Sequence, residues 1–136
     1  MLHLLVVWGH SVMSGTERPD VWVGHVTLRT AALDASESFM KDIGMRGIFR
    51  GDDVAVLELR GGTHLVLLRD AVATLEDAGF DLMVEDLEAA HQTFRERGQE
   101  VTDIQRGRIH DSFQVVEPGG NRITFNSTHV KDHERV

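Results

Sequence analysis

The chain contains no cysteine, no tyrosine and only two prolines among its 136 residues. Without cysteine it forms neither disulfide bonds nor thiolate metal sites, which fits a reducing cytoplasm. Its 14 lysines and arginines are scattered and its net charge is -8, so the basic surface that nucleic-acid binding needs is missing. No apolar run approaches the length of a membrane-spanning helix, about 18 residues. We therefore predict a cytoplasmic protein that binds neither nucleic acid nor a membrane.

The same sequence pattern occurs twice in the chain. Leu33 and Asp34 correspond to Leu87 and Glu88, and each copy ends in a Gly-Gly pair followed by an apolar strand, at 61–68 and 119–127. Each copy predicts a strand, a helix and three further strands. Because such half-units do not bury their apolar faces alone, a working surface between the two copies is expected.

The predicted organisation is a single domain over residues 21–130, with module one at 21–69 and module two at 79–128. Residues 1–20 form a leader whose short apolar run lacks the basic start of a signal peptide, and Met13 offers an alternative start. If translated, the leader adds an edge strand or packs on a neighbouring subunit. Residues 131–136 form a charged tail that is expected to fray.

Turn and cap residues delimit the predicted elements. In module one, Asp34 is expected to cap a helix that ends at Gly44, and the Gly51–Asp53 segment predicts a hairpin. In module two, Asp86 is expected to cap the helix and Gly98 to end it. The last turn, before a strand at 121–127, is Glu117-Pro118-Gly119-Gly120.

This closing turn and the first helix start carry a family resemblance. The sequence EPGGNRITF at 117–125, with Leu33, Asp34, Ser36 and Phe39, resembles the vicinal oxygen chelate superfamily of glyoxalase I, bleomycin resistance proteins and extradiol dioxygenases. Glu117 replaces the aspartate usual in that turn. The resemblance implies an α+β fold in which two βαβββ modules form a curved eight-stranded mixed sheet with the helices outside.

In this family the inward-facing residues of the first and last strands of each module line a cup, where metal-dependent members bind their ion. His25 falls on the first ligand position, whereas the other three positions hold residues that do not match the family pattern: Val66, Gly79 and Thr124. A shifted set of His25, His64 and Asp81 suits Fe, Mn, Ni or Zn. It requires the site to move about 6.6 Å along the strands.

Further site residues are expected around the cup. We assign candidate catalytic roles to His25, Arg29 and His110, with Arg29 either binding a substrate carboxylate or enolate, or pairing with Asp81 or Glu58. The structural alternatives are hydrogen-bonded strand histidines for His25 and His64, and a polar strand start for His110. Ligand contacts are expected from the following residues: Trp22, Met83, Phe113 and Thr124.

The sequence leaves three functions open. One is a metal-dependent lyase, isomerase or dioxygenase acting on vicinal oxygens of a small oxygen-rich or aromatic metabolite. The other is a metal-free protein of the drug-sequestering type, with Phe125 also in the groove and Arg29 as its polar anchor. A purely structural or regulatory dimer module is a third. In each case the exposed first strands predict a homodimer.

Overall fold

The computed structural model describes residues 18–128, so the leader and tail predictions lie outside it apart from residues 18–20, which are exposed. The regular elements are, in chain order, β1 (His25–Thr30), α1 (Leu33–Asp42), β2 (Arg46–Arg50), β3 (Val54–Glu58), a short 3-10 turn (Arg60–Gly62), β4 (His64–Arg69), β5 (Glu76–Val84), α2 (Leu87–Glu96), β6 (Glu100–Val101), β7 (Ser112–Val116) and β8 (Asn121–Ser127). The βαβββ order therefore occurs twice, as predicted. No helix in this range is long and apolar enough to cross a membrane.

The eight strands form two mixed sheets of four. Sheet one has the strand order β1-β4-β3-β2 and sheet two the order β5-β8-β7-β6, and in each sheet only the first and last strands of the module pair in parallel. The α+β class and the two modules are confirmed. The expected continuous sheet is divided, because β1 lies against β5 and β8 without joining the hydrogen-bonded ladder.

Several element boundaries differ from the prediction for local reasons. Asp34 does not cap α1, since the cap position is Ala32 and Asp34 lies in the first turn. Asp86 does cap α2, its carboxylate accepting the Ala89 amide at 3.0 Å. The strand β5 begins at Glu76, ahead of the predicted start of module two at residue 79, because the Glu76 amide donates to the Gly120 carbonyl.

The hydrophobic core lies between the helices and one face of each sheet. Helix α1 buries Leu33, Phe39 and Met40, and α2 buries Leu87 and Phe94, at the spacing of an amphipathic helix. The helices of the two modules meet where the Phe39 and Phe94 rings stack, with centroids 5.5 Å apart. The core is therefore shared by both modules.

A buried polar network also joins the modules. The Glu117 carboxyl group is 1% exposed and accepts the Ser36 hydroxyl of α1 at 2.6 Å. Its other oxygen accepts the Asn121 backbone amide at 2.9 Å and the Asn121 side-chain amide at 2.8 Å, and that side-chain amide also donates to the Arg29 carbonyl. Because Ser36 uses its only proton on Glu117, the Thr30 hydroxyl, 2.7 Å away, donates to Ser36.

We predict that Gly119→Ala destabilises the protein strongly. A Cβ at this position would lie 1.9 Å from the Thr30 hydroxyl oxygen and 2.4 Å from that of Ser36, and both side chains are fully buried. Overpacking of this kind lowers the free energy of unfolding by about 3 kcal/mol, measurable by urea denaturation.

The matched control for this substitution is Gly79→Ala. A Cβ on Gly79 meets nothing within 4 Å, so a change within about 0.5 kcal/mol is expected. Equal decreases in the free energy of unfolding of the two variants would contradict the close packing of the closing turn against α1.

Candidate functional site

Among residues 18–128, no helix covers the face of sheet one opposite α1. Alternation along the strands places Leu28, Leu65 and Leu67 on the buried side, and the next residues on the other. We call this second side the open face of sheet one; its members on three strands are His25, Thr27 and Arg29 of β1, His64, Val66 and Leu68 of β4, and Val54, Val56 and Glu58 of β3. For β1 and β4, these are the residues that the sequence predicts on the inward-facing side of each strand.

One row across this face is polar and titratable. His25 pairs in register with His64, His64 with Glu58, and Glu58 with Arg46 of β2. The two imidazole rings have centroids 5.6 Å apart, and His64 Nε2 lies 3.7 Å from a Glu58 oxygen. Arg46 donates to the other Glu58 oxygen. The row thus combines two imidazoles with a carboxylate that already has a cationic partner.

The adjacent row is apolar apart from Thr27 of β1, which pairs with Val66. Val66 of β4 pairs with Val56 of β3, which pairs with Phe49 of β2. Both valines are only half-buried and Phe49 is exposed, although an apolar row inside the core would be covered. An uncovered apolar strip beside a polar row is typical of a surface that binds another molecule.

Arg29 is placed on the open face, but neither expected internal partner binds it. Its side chain is 67% exposed and lies 3.8 Å from Asp70, whereas Glu58 pairs with Arg46 and His64. The predicted ion pairs of Arg29 with Asp81 or Glu58 are therefore wrong. The reason is that β3 places Glu58 in the His64 row, four residues along the strand from the Arg29 row.

The corresponding face of sheet two is mainly polar, with Met83 among its apolar members. Asp81 of β5 pairs in register with Thr124 of β8 and accepts a hydrogen bond from Asn126 at 2.8 Å. Gln114 of β7 donates to the Thr124 hydroxyl at 3.1 Å. The two open faces therefore differ in chemistry although their backbones repeat.

Phe113 and Phe125 do not line this face. Phe113 is 2% exposed and Phe125 is 1% exposed, and their rings stack with centroids 5.4 Å apart against Phe94 of α2. Strand alternation turns both toward the helix, so neither ring lies on the side of the sheet where the sequence predicts ligand contacts. Trp22, ahead of β1, and Met83 on β5 are exposed, so both are accessible.

His110 lies beside the end of β8, before β7 begins. Its Nδ1 is 3.0 Å from the Ser127 carbonyl oxygen, and the Asp111 amide donates to the Ser127 hydroxyl. Arg106 bridges Asp111, at 2.8 Å, and Glu88, at 2.7 Å. Hydrogen bonds from the Arg106 guanidinium and the Gly107 amide lower the pKa of Asp111. His110 thus belongs to a hydrogen-bonded corner of sheet two.

The donors present do not make up the metal site that the resemblance implies. His25 and His64 offer two imidazole nitrogens, but within residues 18–128 no three histidine, cysteine, aspartate or glutamate residues are grouped to hold an ion. Val66 and Thr124 occupy the carboxylate positions on the closing strands. The set His25, His64 and Asp81 is not assembled, because Asp81 is on the other sheet and bonded to Asn126.

Sequence reasoning missed three polar residues of these faces. Glu58 was considered only as a partner for Arg29, and Arg46 and the Asn126 contact with Asp81 were not foreseen. The register of the β3–β4 hairpin around Gly61-Gly62 is the signal that places Glu58 opposite His64.

Comparison with solved structures shows one consistent fold. Lactoylglutathione lyase from Agrobacterium tumefaciens superposes with a TM-score of 0.67 at 17% identity, over 85% of this chain and 99% of that chain. Bleomycin-binding protein from Streptomyces verticillus, solved with copper(II)-bleomycin, gives 0.63 at 23% identity, over 81% and 98%. A glyoxalase/bleomycin resistance protein/dioxygenase from Alicyclobacillus acidocaldarius gives 0.63 at 20% identity, over 82% and 95%. No protein-family model and no curated protein sequence matches the chain.

We predict that Asp111→Asn removes a stabilising contribution that depends on pH. The pKa of Asp111 is lower in the folded protein than its ordinary value, so its charged form stabilises the fold above about pH 4. That contribution is lost as the pH falls through the folded pKa. The difference in Tm between wild type and variant is therefore largest near neutral pH and shrinks under acid conditions.

Asp103→Asn provides the control, because that side chain is 97% exposed and its contact with Arg95 is 3.9 Å long. Its Tm difference from wild type is expected to be small at every pH. A difference for Asp111→Asn that stays constant between neutral and acid pH would contradict the ion-pair assignment.

Proposed function

We propose that this chain, which has the vicinal oxygen chelate fold of the glyoxalase, bleomycin resistance and dioxygenase structures, binds a small oxygen-rich or aromatic metabolite without a metal ion. The binding surface is the open face of sheet one. One observation carries the proposal: the uncovered strip of Val56, Val66 and Phe49 lies directly beside the His25–His64 row.

The two rows suit two parts of one ligand. An aromatic or aliphatic ring buries apolar area on the valines, and burial of such area contributes about 25 cal/mol per Å². The imidazoles can each donate or accept a hydrogen bond, so they suit hydroxyl or carbonyl oxygens at the ring edge. Arg29, two residues along β1 from Thr27, supplies a cation for an anionic substituent.

The similarity to a bleomycin-binding protein supports binding of a small molecule by this fold. Three predicted ligand contacts stay candidates. Trp22 and Met83 are exposed, and Thr124 faces the open side of sheet two. His110 stays a candidate for proton transfer.

A metal-dependent enzyme is the second candidate, and the His25–His64 pair favours it. Two imidazoles with ring centroids 5.6 Å apart are close enough to share an ion of the Fe, Mn, Ni or Zn type. The described residues provide no third donor in that group, so we assign no reaction step to an ion.

We also propose a homodimer and a cytoplasmic location. The edge strand β2 exposes Ile48 and Phe49, and exposed apolar edges pair readily with a second copy. A partner placed over sheet one would close the open face into a cup. The lack of cysteine is what supports the cytoplasmic location.

We predict that catechol raises the Tm of protein freed of metal with a chelator, and that Val56→Ser weakens this binding about tenfold. The substitution places a hydroxyl group in the apolar strip and removes two methyl groups from it. Val21→Ser is the control, because Val21 is exposed ahead of β1 and outside the strip. Thermal-shift titration measures both.

The same titration with added Fe, Mn, Ni or Zn separates the two candidate functions. Catechol binding that needs no ion and is weakened by His64→Gln supports the metal-free protein. Stabilisation that appears only with an ion would overturn it in favour of the metal-dependent enzyme.

A further inference from the structure

A groove lies in the seam between the two modules, away from the open face of sheet one. It runs between β1 and β5, the strands at the facing edges of the two sheets, and has a volume of about 390 Å³. Eight residues line it: Val23, Val26, Leu59, Arg60, Thr63, Phe80, Asp81 and Leu82. Val26 and Leu82 belong to the helix side of their strands, unlike His25 and His64, so the groove is a separate surface.

The walls of the groove are mainly apolar. Leu82 is buried in the core, and Val26, Leu59 and Phe80 pack against the core while staying partly open. The volume falls within the lower part of the range for small-molecule pockets, about 300 to 1,000 Å³. An apolar chain or ring of modest size therefore fits here.

One cation of the groove has no partner in the described part of the chain. Arg60 makes no ion pair or side-chain hydrogen bond within residues 18–128, whereas Arg46, Arg50, Arg106 and Arg122 each bind a carboxylate. In a chain of net charge -8, a guanidinium left unpaired beside apolar walls provides a local site for an anion.

The turn that carries Arg60 is held in place. Gly61 and Gly62 have φ of 85° and 89°, and the Leu59 amide donates to the Thr63 carbonyl at 2.8 Å. The Thr63 hydroxyl donates to the Val23 carbonyl at 2.6 Å, which fastens the turn to the segment before β1. Less conformational entropy is therefore lost when a ligand binds at this turn.

The second charged residue of the groove is already engaged. Asp81 accepts a hydrogen bond from Asn126 and lies beyond ion-pair distance of Arg60. It disfavours an anion close to β5, so a ligand's negative group is expected at the Arg60 end and its apolar part toward Phe80 and Leu82.

We infer that the seam groove binds a small amphipathic carboxylate, with its carboxylate on Arg60 and its apolar tail against Val26, Phe80 and Leu82. This is a second site, independent of the metabolite surface proposed for sheet one. It connects the two modules, because its walls come from both.

The test titrates the full chain with octanoate, 1-octanol and octylamine by calorimetry. Octanoate is expected to bind about tenfold more tightly than 1-octanol, since only the carboxylate makes a charge-assisted contact with Arg60. Arg60→Gln is expected to lower the affinity for octanoate to that for 1-octanol and to leave the affinity for 1-octanol unchanged. Val23→Glu, at an exposed position of the groove wall, is expected to weaken the binding of octanoate and not the binding of octylamine.

Two controls separate this site from the others. Arg108→Gln removes an exposed arginine outside the groove and is expected to bind octanoate like wild type. His64→Gln, altered on the open face of sheet one, is also expected to bind octanoate normally. Absence of octanoate binding, equal affinity for octanoate and 1-octanol, or an equal effect of Arg108→Gln would overturn the inference.

Discussion

The Glu117 carboxyl group is the contact on which the arrangement of the two modules depends. It is buried and has no cationic partner within residues 18–128, and an unsatisfied carboxyl group in that position would cost several kcal/mol. Ser36 from module one and Asn121 from module two satisfy its oxygens, and Asn121 continues to the Arg29 carbonyl in β1. Each hydrogen bond in this network has a fixed donor and a fixed acceptor. All of them therefore form together only when the two modules pack against each other in this orientation.

The network determines what else lies at the boundary. The closing turn and the start of α1 approach each other so closely that only a residue without a Cβ atom fits at position 119. The stacked Phe39 and Phe94 rings add the apolar part of the same boundary. With the modules held in this way, β1 and β5 face each other across a seam without sharing a ladder, and the seam groove is the space that remains.

The duplication has preserved the buried side of the modules more closely than the open side. Helix-facing positions are apolar in both sheets apart from Thr30 and Asn121 of the polar network, because both sheets must cover a helix. The open faces carry no such requirement, so one holds valines and imidazoles and the other an aspartate and amides. The sequence comparison indicated this asymmetry at His25 against Gly79, and the structure adds that Glu58 and Arg46 extend the histidine row on one side alone.

The sequence alone determined the order of elements, the bounds of β8, and the phase of His25 and His64, because alternation, turn residues and helical spacing are local signals. It also indicated the fold, through the closing turn. Only the tertiary structure decided which polar groups meet. Asp34 does not cap α1, Arg29 pairs with Asp70, and Asp81 pairs with Asn126 and not with the histidines. These contacts depend on strand register and on the distance between sheets, and neither is encoded by the spacing of residues along one strand.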